Sequence, residues 1–416
     1  MNGSNPGNLS IRRQLMSCCC LLLACGLAQS VVAHQRSESF SRWQYSGDML
    51  SVRFTISERE ASRLQTPHGS VSLQTLLATY LARQIIVQND PRVEEPVCVL
   101  MHPFHALRSR PGFVQVEALW RCRDLPDGIA IHAFFDLAAE HSHFASLESS
   151  IGFSQRLLTT ENRMWTLSGQ STTDHDGGNG SSPFTDYLLY GVVHISSGFD
   201  HLVFLVALLL LCRRGKDVVW AVSGFTVGHS ITLTLAAMGL VYPNVPAVEA
   251  TIGLTIALVA AERATNSTKS ALPLPAVCAA LLLLIIPLVS TQNTVLSVSL
   301  LSGLALFSFC YLLLARQLGS KGGFRILITT LFGLIHGLGF AGAFLASDLD
   351  KDMLFLPLAG FNIGIELGQL ALIALMLSIG ILLKRRHNLK VYATELTSAV
   401  ICGLGVFWFV QRGFFY

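Results

Sequence analysis

Residues 186–212 read DYLLYGVVHISSGFDHLVFLVALLLLC. The stretch exceeds the ~20 apolar residues that a helix needs to cross a bilayer, yet it holds His194, Asp200 and His201 in its interior. Ionisable side chains in a spanning helix cost several kcal/mol unless they are paired, so each is expected to have a purpose. Seven further apolar stretches follow, at 217–239, 246–263, 273–291, 293–315, 324–347, 353–383 and 392–411. The expected fold class is membrane all-α, a polytopic bundle of about eight transmembrane helices. The seventh stretch is long enough to be tilted or extended. The fourth and fifth have the weakest boundary and could form one re-entrant pair.

Composition agrees. Charged residues make up 13% of the 416, against 51% hydrophobic, about half the charge of an ordinary soluble domain. The net charge of +3 and the lack of basic runs with interleaved aromatics exclude nucleic acid as a partner. The lipid bilayer is the partner that composition demands. Alternate connections between the stretches carry the basic residues: Arg213, Arg214 and Lys216; Arg263 and Lys269; Arg316, Lys321 and Arg325; Lys384, Arg385, Arg386 and Lys390. The intervening connections carry almost none, and 346–353 is rich in Asp. The positive-inside rule then predicts a bacterial inner (cytoplasmic) membrane protein whose N-terminal part and C-terminus lie on the periplasmic side.

Residues 1–33 are expected to be a signal peptide: Arg12 and Arg13 precede the apolar Leu15 to Leu27, and Val31-Val32-Ala33 offers a small-residue cleavage site. A lipoprotein attachment at Cys25 fits less well because Leu23 is large. Residues 34–167 are expected to be a small β-rich extracytoplasmic domain. Period-2 alternation marks strands at 49–56, 112–120 and 129–135, and Leu73, Leu76, Leu77 and Leu81 mark a helix over 72–84. A Gly/Ser/Asp-rich linker, 168–185, leads to the membrane part, 186–411. Among the ten cysteines only Cys98 and Cys122 fall in the exported segment, and they are expected to form a disulfide. The domain leaves room for a periplasmic partner.

The membrane part places His194, His201, His229, His336, Asp200 and Glu366 in spans, with Glu249 nearer the outer surface. At ~1.5 Å per residue, His201, His229, His336 and Glu366 all lie ~18–22 Å from their helix starts. On one continuous helix His194, Ser197 and His201 share a face, but the two histidines are ~10 Å apart along the axis. They are therefore expected to act separately, one outer and one central. Asn362, Glu366 and Gln369 form a second stripe. Gly224/Gly228, Gly333/Gly337 and Gly360/Gly364/Gly368 form small-residue ridges that permit close helix approach. Neutral imidazoles and carboxylates without thiolates suit a borderline divalent cation: nickel, cobalt, zinc or ferrous iron. The expected metal-handling residues are His194, Asp200, His201, His229, His336, Glu366, Asn362 and Glu249. The plainer reading is a set of membrane histidines each satisfied by its own neighbour. In the exported domain, His141 and His143, or His102 and His105, are either surface residues or metal-capturing pairs.

The segment from His194 to His201, with its His-x3-Gly-x-Asp-His order, resembles the signature of the HupE/UreJ family, in particular its branch with an added extracytoplasmic domain. Gly228-His229-Ser230, His336-Gly337-Leu338-Gly339-Phe340 and Asn362-x-Gly364-x-Glu366-Leu367-Gly368-Gln369 are similar to that branch as well. The resemblance runs from about 187 to 381. It implies uptake of nickel or a related ion, with His194, Asp200 and His201 handling the metal. Gly339 stands where hydrogenase-linked nickel members have a glutamate, and Glu366 is the expected replacement. The leading expectation is a secondary transporter of a divalent transition metal ion, with Asp200 and Glu366 available for proton coupling; no ATP-binding GxxxxGK[ST] is present. The alternatives are a metal-dependent intramembrane hydrolase, with Asp200 or Glu366 as general base or a Ser197–His336 dyad, and an accessory membrane protein without transport.

Overall fold

The computed structural model describes residues 37–64, 71–88, 96–110, 112–138, 141–150, 152–167, 183–212, 214–267, 274–291, 294–319, 321–346, 354–382 and 390–415. The expected signal peptide and residues 168–182 of the expected linker lie outside them. The chain divides into two compact units.

The N-terminal unit is β-rich. Nine strands run in order: β1 (Glu38–Ser46), β2 (Met49–Ser57), β3 (Ile85–Gln88), β4 (Cys98–Leu107), β5 (Phe113–Cys122), β6 (Gly128–Ile131), β7 (Ser142–Ser149), β8 (Gly152–Leu158) and β9 (Met164–Thr166). Six form one sheet in the order β4-β5-β2-β1-β7-β8, in which only the β1–β7 pairing is parallel. β3, β6 and β9 form a second, antiparallel sheet. The alternation in β5 places Val114, Val116, Ala118 and Trp120 inside, against Leu50, Val52, Phe54 and Ile56 of β2. Helix α1 (Leu73–Gln84) begins at Ser72, whose hydroxyl accepts from the Thr75 amide, and buries Leu77 and Leu81. The strand expected over 129–135 stops at Ile131. Phe134 adopts a left-handed conformation, φ 66°, and its amide donates to the Tyr80 hydroxyl, turning the chain. Cys98 and Cys122 face each other across β4 and β5 and are disulfide-bonded.

A polar ladder crosses the interior of this unit between the parallel strands β1 and β7. His141 bridges Ser37 (Nδ1, 2.7 Å) and Ser39 (Nε2, 2.8 Å); His143 bridges Ser39 (Nδ1, 2.6 Å) and Ser41 (Nε2, 2.8 Å). Trp43 Nε1 donates to Ser41 Oγ. An indole can only donate and a neutral imidazole donates once and accepts once. The ladder is fully satisfied when protons run in one direction, Trp43 to Ser41 to His143 to Ser39 to His141 to Ser37. Every ring nitrogen of His141 and His143 is engaged, so this pair is structural and not a surface metal trap.

The membrane unit is helical: α2 (Pro183–Ser197), α3 (Phe199–Leu211), α4 (Gly215–Ala237), α5 (Val245–Ser267), α6 (Leu274–Thr291), α7 (Val298–Leu318), α8 (Gly322–Ala346), α9 (Phe355–Leu382) and α10 (Lys390–Phe414). Among the described residues six helices, α4, α5, α7, α8, α9 and α10, are long and apolar enough to cross a membrane. The pair α2 and α3 qualifies as a seventh, broken span, bent by 70°. The fourth expected span is the shorter apolar helix α6, with Pro287 inside it. The glycine ridges are helix contacts. A Cβ on Gly333 would lie 2.0 Å from the Phe225 carbonyl oxygen, binding α8 to α4, and one on Gly364 would lie 2.1 Å from that of Leu188, binding α9 to α2.

The ladder makes the β-rich unit acid-sensitive. Burial pushes the pKa of His141 down to about 3, with Arg63 adding to the effect, and holds that of His143 well below its ordinary value. Both imidazoles are neutral when folded, whereas the unfolded chain takes up protons near pH 6.5. Stability is therefore complete above that pH and falls below it, by up to about 1.4 kcal/mol per histidine per pH unit. Hydrogen exchange on the full chain should show β1 and β7 opening more readily at pH 5 than at pH 7, after correction for intrinsic rates. Equal protection at both pH values would contradict the ladder.

Candidate metal centre

The first span breaks at Gly198. Its amide closes α2 by donating to the His194 carbonyl (3.0 Å), and its carbonyl opens α3 by accepting from Leu202 (3.0 Å). The break overturns the expectation that His194 and His201 lie ~10 Å apart on one axis. A 70° bend between them folds the two residues toward each other, and their ring centroids are 5.1 Å apart. A side chain at position 198 would oppose this, because its Cβ would sit 2.4 Å from His201 Nδ1.

Helix α8 brings a third imidazole. The His336 ring lies 5.9 Å from that of His201 and is 2% exposed. Its Nε2 is 3.1 Å from Thr255 Oγ1 on α5, and that hydroxyl donates its one proton to the Ile252 carbonyl (2.7 Å). Thr255 can therefore only accept from His336, which fixes the proton on Nε2 and leaves the lone pair on Nδ1. His336 Nδ1 is buried without a hydrogen-bond partner. A buried lone pair of this kind is costly unless a proton or a cation meets it.

Asp200, in the first turn of α3, orients His201. Oδ1 accepts from the His201 amide (2.9 Å) and lies 3.1 Å from His201 Nδ1. The carboxylate is thus within ion-pair distance of the ring and is bonded to the backbone amide of the same residue. Oδ2 faces Arg412 of α10 at 3.4 Å, and Arg412 also donates to the Glu249 carbonyl (3.3 Å). Asp200 is thus a support for His201, neutralised by an arginine, and Glu249 enters this layer through its backbone.

The other expected residues form a neighbouring group between α4 and α9. His229 stacks near Phe225 and Phe361, the rings that also touch His336 and His194 respectively, and Asn362 follows Phe361 directly on α9. Glu366 accepts from Ser223 through Oε1 (2.6 Å), while its Oε2 is buried without a hydrogen-bond partner. Thr226 donates to Gln369 (2.9 Å), completing the seam. Ser197 donates to the Val193 carbonyl in its own helix (2.7 Å) and forms no dyad with His336. Among the described residues no three His, Cys, Asp or Glu side chains are set to hold one ion.

A family model described as HupE / UreJ protein matches residues 170–285 and 280–412, more than half of the chain. The chain belongs to the HupE/UreJ family. No curated protein matches it. In this HupE/UreJ chain, sequence reasoning missed Thr255, Ser223 and Arg412. Arg412 falls one residue beyond the apolar stretch that ends at 411, and looks solvated from sequence alone. The signal for the break was present: Ser196-Ser197-Gly198-Phe199-Asp200 is a helix stop followed by an acidic first turn, set in the middle of an apolar run.

The Asp200–Arg412 pair is about nine-tenths enclosed on the arginine side. Removing one member of a buried pair leaves an uncompensated charge, at ~3–5 kcal/mol. Arg412→Met and Asp200→Asn should each lower the melting temperature of the detergent-solubilised protein, and the double variant should recover most of the loss. Additive losses in the double variant would show that the pair does not interact.

Proposed function

We propose that the chain is a secondary transporter for a divalent transition metal ion, nickel or cobalt in the first instance, zinc or ferrous iron by the same donor chemistry. The observation that carries this reading is the buried Nδ1 of His336, without a hydrogen-bond partner, next to His201, which itself neighbours His194 across a helix break. Broken helices at mid-membrane depth are tolerated where they border a protein-lined or watery site, and transporters commonly build their substrate sites on them. Ring separations of 5.1 and 5.9 Å make the imidazoles neighbours, yet among the described residues no three His, Cys, Asp or Glu side chains close round one ion as a structural cage would. That suits cargo, which must be held firmly enough to enter and loosely enough to leave.

The remaining residues take supporting parts in this reading. His194 and His201 receive the ion, with Asp200, paired to Arg412, beside the His201 ring. His229 with Asn362 borders the site across Phe361. Glu366, with one oxygen held by Ser223, is the carboxylate we assign to proton exchange, since Asp200 is occupied by Arg412. The distribution of Arg and Lys supports an inner-membrane location with the β-rich unit and the C-terminus on the periplasmic side, and residues 1–33 fit a signal peptide. The exported unit is left for a periplasmic partner. The family resemblance supports a metal-linked role.

The test is flux. In proteoliposomes of the full chain, Ni2+ or Co2+ should accumulate behind a metal-sensitive dye, and His201→Ala or His336→Ala should reduce the rate at least ~10-fold, the cost of one lost ligand interaction or its support. Wild-type vesicles that exclude both ions, or histidine variants that transport at the wild-type rate, would end the reading.

A further inference from the structure

Below the histidines, three helices share a seam. On α8, His336, Phe332, Ile328 and Arg325 follow one another at spacings of four, four and three residues, one face of a helix. On α5 the same face runs from Thr255 through Val259 to Glu262, and on α3 from His201 through Phe204 to Leu208 and Leu211. The upper members form the histidine cluster. The lower members, Arg325, Glu262 and Leu211 among them, line a small cavity. It has room for roughly one water-sized sphere. Arg325 is 11 positions from His336, so the two levels are ~16 Å apart.

The lower level holds polar groups out of contact with solvent. Glu262 is 3% exposed and accepts from Tyr311 of α7 at 2.6 Å. Arg325 approaches its other oxygen at 3.8 Å and donates to the Gly319 carbonyl at the end of α7. Between the levels lies an aromatic layer. Phe204 contacts both the His336 ring (5.3 Å) and Phe332 (6.2 Å), and Phe332 contacts Tyr311 (5.5 Å). Apolar constrictions of this sort gate ion paths by excluding water. The cavity sits at the helix ends that carry Arg214, Lys216, Arg263 and Arg316, which is the cytoplasmic end by the positive-inside rule.

We infer that Glu262 in this cavity is a second, inner station for the same divalent cation, closed here by Arg325 and separated from the histidines by Phe204 and Phe332. The inference rests on the transport reading above. An ion leaving soft imidazole ligands for the cytoplasm meets an oxygen ligand set, Glu262 with Tyr311 and Thr329, only once the guanidinium withdraws. Arg325 acts as a tethered surrogate cation that holds the station shut until then. A passive structural ion pair would gain nothing from a cation, and that is the difference the test reads.

Two measurements on the full chain test it, with Co2+ as the probe. Equilibrium dialysis should find one more Co2+ per chain in Arg325→Met than in the wild type, and Arg325→Met/Glu262→Gln should lose the extra ion. Misfolded chain would bind Co2+ through exposed histidines whether or not Glu262 is present, so loss of the extra ion in the double variant separates the station from misfolding. In proteoliposomes, Glu262→Gln, which can keep the Tyr311 hydrogen bond, should reduce Co2+ flux at least ~10-fold while the visible absorption of histidine-bound Co2+ in detergent is retained. No extra ion in Arg325→Met with that absorption intact, or wild-type flux in Glu262→Gln, overturns the inner station. A wild-type protein that shows neither histidine-bound Co2+ nor flux overturns the transport reading itself, and the station with it.

Discussion

A helix broken inside a bilayer has no water to satisfy the backbone groups that the break exposes, so it survives only where the protein supplies partners. Between His194 and Leu202 the partners are local: the Gly198 amide caps one helix and its carbonyl starts the next. The rest of the site follows from that economy. The bend turns two histidines on one strip of sequence into neighbours, directs Asp200 toward His201 Nδ1, and leaves Oδ2 to meet Arg412 from the last helix. Gly198 is required for steric reasons, since any side chain there would press on His201.

Histidine plays two opposite parts in this chain. In the β-rich unit, His141 and His143 each bond through both nitrogens to serines in or next to strand β1, and the proton order of the ladder is complete. Nothing further is needed to account for their burial. In the membrane unit His336 is equally enclosed, but its one protein hydrogen bond commits the proton to Nε2 and strands the lone pair of Nδ1. Burial is the same; satisfaction is not. The difference separates a core histidine from a candidate ligand.

The architecture was legible because it is written in composition and period. Long apolar stretches gave the spans, period-2 runs gave β2 and β5, and the glycine ridges gave the seams between α4 and α8 and between α2 and α9. The count of eight came out as six long helices, a broken seventh and the shorter α6, since hydropathy alone does not register a helix of bilayer composition but insufficient length. The candidate site was legible as a set of residue types and not as a geometry. Treating 186–212 as one rod set His194 and His201 two helical turns apart, whereas the stop signal at Gly198 reverses that conclusion. Arg412, Thr255 and Ser223 were invisible because each matters only through a partner more than 80 positions distant in sequence. Pairings of that range are set by tertiary packing, on which a single sequence is silent.

The central claim is that imidazoles from both sides of the Gly198 break and from α8 converge on one cation. X-ray absorption at the cobalt edge of the full-length protein loaded with Co2+ addresses it without reference to transport. The account predicts nitrogen neighbours with the outer-shell scattering of at least two imidazole rings, reduced when His336 is replaced by alanine. A spectrum of oxygen neighbours with no imidazole scattering would contradict it.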